Sequence, residues 1–555
     1  MTTNASAAPV GHAPTGEYTH KQILTILTGL LLGMFLGSLD QTIVSTSIRT
    51  IADDLHGLDA QAWVTTAYLI TSTITTPIYG KLGDLWGRKK LFMFAISIFI
   101  IGSVLCTFST SMYELAVFRA FQGLGAGGLF TLVLAIIGDI VSPRERAKYT
   151  GYFMATFGTS SVLGPVIGGF FAGASTILGI AGWRWVFLVN VPIGIVALVV
   201  VYRTLHVHHV KRKARIDFMG AIALVICLVP LLTVAEQGQR WGWSSTKSIS
   251  CFVIGALGLV LFIAAEAFMK DDALIPLRLF RIRAAWVTIV ASVLVGMALF
   301  GGMMMLPLYL QIVHGASPTE SGLLMLPMVL GLMSAAMISG KITSKTGRPR
   351  MFPIAGSLIM AVGFFLLTQV SAGTPLPLVM VFMLIVGYGV GNCMQPLILT
   401  VQSAVPPQEI GVATASATFF RQMGGTIGVA VFLSILFGTV GGHIADAFHD
   451  EAPQIQAAVQ SGQLVPNKLD KEVLAGDPKV TEEFNKDSSI INQMSPAVAH
   501  PFKVGFTGSM TMVFWITGGI GLLAFLVLLF MPEVVLRETS ASSAAAAERA
   551  AAAKE

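Results

Sequence analysis

Hydrophobic residues in this chain gather into long runs parted by short polar stretches. A helix that crosses a bilayer takes about 20 mostly apolar residues. Fourteen runs reach that length, at 23–47, 62–80, 91–110, 114–140, 149–172, 184–203, 217–235, 250–268, 284–312, 321–340, 351–371, 376–402, 411–437 and 506–531. Each predicts a membrane-spanning helix. The first has no clear cleavage site after it and reads as a span rather than a removed signal peptide.

The polar stretches orient these spans, because Lys and Arg of short loops mark the cytoplasmic side. With the N-terminus in the cytoplasm, "GKLGDLWGRKK", "SPRERAK", "HVHHVKRKAR", "PLRLFRIR" and "GKITSKTGRPR" all face inward. The opposite loops, such as "SIRTIADDLHGLDAQ", carry few basic residues. An even number of spans returns the C-terminus to the cytoplasm, and the expected location is the cytoplasmic membrane. Composition closes the alternatives. The chain is 54% hydrophobic and 12% charged, against roughly 25% charged for a soluble domain. Its net charge of +6 is a positive-inside signal, so no nucleic-acid partner is expected. Cys106, Cys227, Cys251 and Cys393 lie in apolar runs without paired spacing and read as small buried side chains. His206, His208 and His209 could bind a metal, but such a run reads first as a solvated basic loop near anionic lipid, and no metal is expected.

An internal repeat sets the layout. "GKLGDLWGRKK" from Gly80 matches "GKITSKTGRPR" from Gly340 at Gly80/Gly340, Lys81/Lys341, Gly87/Gly347 and Arg88/Arg348. The copies lie 260 residues apart, whereas a six-helix block takes about 200. Two additional spans between the blocks fill the difference. The expected class is an all-α polytopic membrane protein of two six-helix bundles plus two extra helices. Its parts are a cytoplasmic tail (1–22), an N-terminal bundle (23–203), two linker helices with flanking cytoplasmic loops (204–283), a C-terminal bundle (284–531) and a low-complexity cytoplasmic tail (532–555). The C-terminal bundle includes a polar extracytoplasmic excursion (438–505) without a catalytic constellation. No phosphate-binding loop is present, so pumping must draw on an ion gradient.

Four segments carry candidate chemistry. In "GKLGDLWGRKKLF" (80–92), Asp84 and Arg88 stand among Gly80 and Gly87, and Asp139 ends the fourth span. In "LAVFRAFQGLGAGG" (115–128), Arg119 lies inside a span, where a charge normally faces a cavity or a partner. "GTSSVLGPVIGG" (158–169) puts Gly158, Ser161, Pro165 and Gly168 at spacings of three, four and three, with Gly164 and Gly169 beside them. This predicts one small-residue face for close helix approach, with a bend at Pro165. In "FLGSLDQTIVSTSI" (35–48), Asp40 shares a small, polar face with Gly33, Gly37, Val44 and Ser47 and points into the bundle. A carboxylate held away from water there is suited to bind and release protons.

These segments resemble motifs of the major facilitator superfamily, and within it of the fourteen-helix drug:proton antiporters, from about Lys21 to Pro532. The resemblance implies the major facilitator fold. It also implies a conformational latch in which Asp84 packs on another helix end and Arg88 pairs with Asp139. Gly80 and Gly87 frame that latch, and the exporter-type fifth span contributes Gly158, Gly164, Pro165, Gly168 and Gly169. Asp40 and Arg119 are implied in proton coupling. The match departs at Leu85, where the family often has Arg, and at Ser45, Thr46, Ser47 and Arg49.

The C-terminal block has no acid deep in a span, and Glu320 sits at an outer edge. Phe300, Met304, Gln311, Asn392, Gln395, Phe419 and Phe420 are candidate substrate contacts, because methionine, amide and aromatic surfaces repack around varied shapes. Arg421 reads as a snorkelling residue near the cytoplasmic end. The family implies an amphipathic, often cationic cargo, with Asp40 as its counter-charge. The expectation is a monomeric proton-coupled antiporter that exports amphipathic, multidrug-type compounds, is driven by the proton gradient and needs no cofactor. The alternative cargo is a lipid, siderophore or secreted metabolite. An importer sits badly with the exporter-type segment. A membrane enzyme would need a His, Asp, Glu or Cys cluster at the span ends, and none is seen.

Overall fold

Helix starts follow from short polar caps. Thr19 and Ser317 form capping boxes with Gln22 and Glu320, Ser111 accepts from the Glu114 N–H, and Ser142 accepts from the Glu145 N–H with Pro143 in the first turn. The computed structural model describes residues 19–56, 60–205, 217–406, 409–461, 466–474, 491 and 493–536. His206, His208 and His209 lie outside them, as do residues 1–18 and 537–555.

The first block holds α1 (His20–Asp54), α2 (Gln61–Trp86), α3 (Arg88–Thr107), α4 (Met112–Ile140), α5 (Pro143–Gly173) and α6 (Gly182–Thr204, opening with a turn of 3-10 helix). Then come α7 (Phe218–Trp241) and α8 (Thr246–Met269). The last block holds α9 (Arg283–Ile312), α10 (Thr319–Thr346), α11 (Met351–Leu367), α12 (Leu376–Ser403), α13 (Ile410–Gln460) and α14 (Pro496–Leu529). Among the described residues, 12 helices are long and apolar enough to cross a membrane. The other two, threonine-rich α2 and 17-residue α11, fill the places of the second and eleventh expected spans. The expected count of fourteen is compatible with this.

Three boundaries differ from the sequence reading. "SPRERAK" is the first two turns of α5, because Ser142 caps it. Residues 438–460 and 496–505, read as part of a polar excursion, continue α13 and open α14 as helix. Between α5 and α6 a two-residue ladder pairs Thr176 with Ala181, and Leu178 and Gly179 at its tip both take positive φ.

The two blocks pack by the same scheme. In the first, α2 lies on α4, α3 on α4, α1 on α5, α1 on α6 and α3 on α6. In the last, α10 lies on α12, α11 on α12, α9 on α13, α9 on α14 and α11 on α14. The contacts between blocks obey the same exchange, with α5 against α10 and α13 against α2. The repeat also survives in the backbone: Gly87 (φ 96°) and Gly347 (φ 70°) both end a helix in the left-handed region that favours glycine. Helices α7 and α8 pack on each other, and α7 touches α2 and α13. One apolar cluster there joins Ile70, Ile74, Leu224, Cys227 and Phe419.

Candidate functional site

Asp40 is fully buried inside the first block. Arg119 NH1 donates to its Oδ2 at 2.5 Å, while Gln122 Nε2 and Asn190 Nδ2 donate to its Oδ1 at 2.9 and 2.8 Å. Two helices thus converge on the α1 carboxylate, α4 through Arg119 and Gln122 and α6 through Asn190. Gln122 also donates to Ser103 of α3 at 2.7 Å, and its Oε1 accepts from Arg119 at 2.6 Å. The Arg119 guanidinium lies 4.0 Å from the centre of the Tyr68 ring. These three bonds all run toward the carboxylate, so α4 and α6 hold Asp40 as an acceptor.

At the end carrying the basic loops, a latch joins the blocks. Arg88 donates to Asp84 at 2.8 Å, pairs with Asp139 at 3.0 Å and donates to the Ala135 carbonyl. Asp84 Oδ2 in turn accepts from the Val412 N–H at 3.2 Å, at the N-terminus of α13. A Cβ on Gly80 would collide with Ala415, and one on Gly411 would collide with the Asp84 carboxylate. Glycine at both places lets α2 and α13 touch. A second junction, not foreseen from the sequence, lies at the partner position. Arg144 at the N-terminus of α5 donates to the Ser344 and Lys345 carbonyls of α10, both at 2.8 Å. Arg146 donates to Gln402 and to the Gly138 and Val141 carbonyls.

The small residues of α5 form two faces, not one. Gly164 and Gly168 meet α1, where added Cβ atoms would strike Thr42 and the Ile43 carbonyl. Ser160 joins them, 2.5 Å from Ser38, and Ser47 donates to the Gly168 carbonyl at 3.1 Å. Gly158, Pro165 and Gly169 face α10 instead, against Val329 and Met333, Gly322, and Thr319. Ten residues from Gly158 to Gly168 make about 2.8 turns at 3.6 residues per turn, which rotates Gly168 off the first face.

Two cavities lie between the blocks. The outer one, ≈ 680 Å³, is lined by Thr42, Arg49, Ser161, Pro165, Gln311 and Glu320 among others. The central one, ≈ 260 Å³, is lined by Gln41, Phe300, Met304, Gln395, Thr418 and Arg421 among others. Phe157 and Leu299 line both. Of the candidate substrate contacts, Phe300, Met304 and Gln395 therefore face the central cavity and Gln311 the outer one. Asn392 faces neither and donates to the Tyr388 carbonyl at 2.9 Å. Phe419 and Phe420 meet edge to face and pack toward α7, so the linker pair takes the face expected to meet cargo. Asp40 lines neither cavity, which removes it as the counter-charge to a cargo in this state.

Glu320 caps its own short helix turn, its carboxylate accepting from the Ser317 N–H at 2.8 Å. Arg421, read as snorkelling, lies in the central cavity lining. Three buried acids escaped the sequence reading, among them Asp470, which accepts from the Asn467 and Ser495 N–H groups, both at 3.0 Å. Glu266 accepts from the Ile275 N–H at 2.9 Å, and Asp217 caps α7 at the Gly220 N–H at 2.6 Å. A lone acid near the end of an apolar run was the available signal for Glu266. Among the described residues no group of His, Cys, Asp and Glu is placed to hold a metal.

The sequence profile of the Major Facilitator Superfamily matches residues 30–429. The chain is 35% identical to "Multidrug transporter protein MdtP" of Bacillus subtilis (strain 168), over 76% of each chain. It is 34% identical to "Multidrug resistance protein 3" of the same organism, over 78% of this chain and 83% of that one. It is 31% identical to "Efflux pump aflT" of Aspergillus parasiticus, over 77% and 83%. Among solved structures, the proton:xylose symporter XylE superposes with a TM-score of 0.59 at 15% identity, covering 96% of this chain and 100% of that one. At that identity the likeness speaks for the fold alone.

Proposed function

The chain belongs to the Major Facilitator Superfamily, a family of transporters and not of enzymes, and on that premise we propose that it is a proton-coupled exporter of amphipathic compounds. The basic end is the cytoplasmic one, and both termini lie on that side of the cytoplasmic membrane. The observation that carries the proposal is the Asp40–Arg119 pair, buried inside one block and out of reach of both cavities. A proton site apart from the cargo site lets the two act on each other only through helix movement, which is what exchange transport needs.

The route for that movement is short. Asp40 sits on α1 between Gln41, which lines the central cavity, and Ser38, which contacts Ser160 of α5. Protonation of Asp40 removes its charge from Arg119 and weakens the bonds that the carboxylate accepts. The registry of α1 against α4 and α6 then changes, and with it the wall both cavities share. In the present state the latch closes the basic end, while the outer cavity lies toward the other end. Cargo taken from the cytoplasm is released outward, and proton entry resets the pair.

Purified protein in proteoliposomes, with an imposed pH gradient and a panel of fluorescent amphiphiles, tests this. Gradient-dependent transport that disappears with Asp40→Asn is expected. Transport at the same rate with no gradient would overturn the coupling.

A further inference from the structure

The central cavity holds a set of hydrogen-bond donors without acceptors. Arg421 is the one charged residue among its described lining. Among the described residues the Arg421 side chain makes no ion pair and no hydrogen bond. Its nitrogens are also absent from the sealed, unpartnered polar atoms, so the guanidinium opens into the cavity space. Two neighbours in the same lining are sealed and unpartnered: Gln395 Nε2 on α12, in a residue 3% exposed, and Thr418 Oγ1 on α13, in a residue 0% exposed. Thr418 and Arg421 are three residues apart and share one face of α13. Arg421 stands eleven residues into that helix. At 1.5 Å per residue this is about 16 Å from the helix start.

We infer that Arg421 forms an oxyanion subsite, and that the cargo is an amphipathic anion bearing a carboxylate or sulfonate. A buried donor without an acceptor is unfavourable, and a guanidinium in a low-dielectric space still more so. An oxyanion in the cavity pairs the guanidinium, whose fork matches its geometry. The remaining lining suits an apolar body: Phe130, Phe153, Phe157, Phe300, Met304 and Met394. A cationic cargo meets the reverse situation, a like charge and no carboxylate in the lining. The inference deepens the exporter reading and rests on it for the word cargo, but the subsite is tested by binding alone.

The test uses the full-length protein in nanodiscs without any gradient, and three fluorescent probes with one body: 4-(1-pyrenyl)butanoate, its neutral methylamide and 4-(1-pyrenyl)butylammonium. The carboxylate should bind at least tenfold more tightly than the ammonium. Arg421→Gln should weaken the carboxylate about 10- to 100-fold, the usual weight of hydrogen bonds to a charged group, and leave the ammonium equal or tighter. Arg421→Lys keeps the order of the three probes with a smaller gap, and covers the case in which the glutamine variant does not fold. Phe300→Ala should weaken all three alike, which places them in this cavity. Equal or tighter binding of the ammonium by the native protein would overturn the subsite. So would an unchanged carboxylate affinity in a folded Arg421→Gln. If gradient-driven export persists while the probes show no preference, the exporter reading stands and the anion subsite falls.

Discussion

Replacing Asp84 with Asn should open the latch by an amount the structure allows to be worked out. Only contacts that break when the blocks separate bear on the balance of states. The Arg88–Asp84 bond, at 2.8 Å, lies within one block and is kept in both. The contact that is lost is Asp84 Oδ2 with the Val412 N–H, at 3.2 Å. A carboxylate at a helix N-terminus gains about 0.3–1 kcal/mol, and up to about 2 when partly buried. The bond is long, and Asn still offers an acceptor, so the loss is about 0.5–1 kcal/mol. That is a factor of roughly 2–5 in the ratio of separated to closed basic ends. Arg88 keeps Asp139 at 3.0 Å and is not orphaned. Arg144→Gln removes two bonds to helix-end carbonyls and should act in the same direction with similar size. The two sites are separate, so the energies should add and the ratios multiply.

Spin labels at cysteines replacing Lys148 and Lys345, both exposed, read the distance across this end by pulsed electron resonance. The Lys345 carbonyl that accepts from Arg144 belongs to the backbone and survives the substitution. Cys251 would be replaced by serine, since the other three cysteines are buried. A longer-distance population should grow in each single variant and most in the double. Unchanged distance distributions in both single variants would refute the claim that these contacts set the balance.

The buried pair gives two further expectations. Asp40→Asn should abolish gradient-driven export while probe binding in the central cavity persists, because Asp40 lines neither cavity; efflux at the native rate would remove it from the mechanism. Arg119→Lys should rescue transport poorly, since an ammonium cannot hold Asp40 and Gln122 while stacked on Tyr68; full recovery would reduce Arg119 to a bulk charge. On α5, Gly164→Leu should leave the protein in the membrane but bias it to one state, because its Cβ collides with Thr42. Overpacking costs about 1–3 kcal/mol, and two-sided cysteine accessibility that stays native would mean α1 yields there freely.

What the sequence makes legible is what a single helix or a short loop decides. Asp84, Arg88 and Asp139 could be assigned to one another because the motif around Gly80 resembles a family loop that implies their pairing. Asp40 and Arg119 stood out because charges inside apolar runs need partners. Their neutral donors Gln122 and Asn190 did not, since amides in a span carry no such warning. Phe419 and Phe420 looked like cargo contacts on an amphipathic helix, yet α7 covers them, and nothing local reveals which face an added helix pair occupies. Arg421 was misjudged by face rather than by limits: the expected span began one residue from the start of α13, and only the packing of the two blocks shows that this face lines the central cavity.

The two junctions at the basic end show what duplication fixes and what it leaves free. Asp84 corresponds in the repeat to Ser344, so the second copy has no acid to offer the facing helix. Each junction nevertheless sets the C-terminal end of one helix, α2 or α10, against the N-terminal end of another, α13 or α5. Such ends expose unpaired carbonyls on one side and unpaired N–H groups on the other. A carboxylate from the first helix can satisfy the N–H groups, or a cation from the second can satisfy the carbonyls, and both agree in sign with the helix dipoles. The chain uses the first solution at Asp84 and Val412 and the second at Arg144, Ser344 and Lys345. The fold therefore keeps the approach, through Gly80, Gly87 and Gly347, and lets the charge that closes it move from one helix to its partner. For that reason the second junction left no copy of the first one's motif to find.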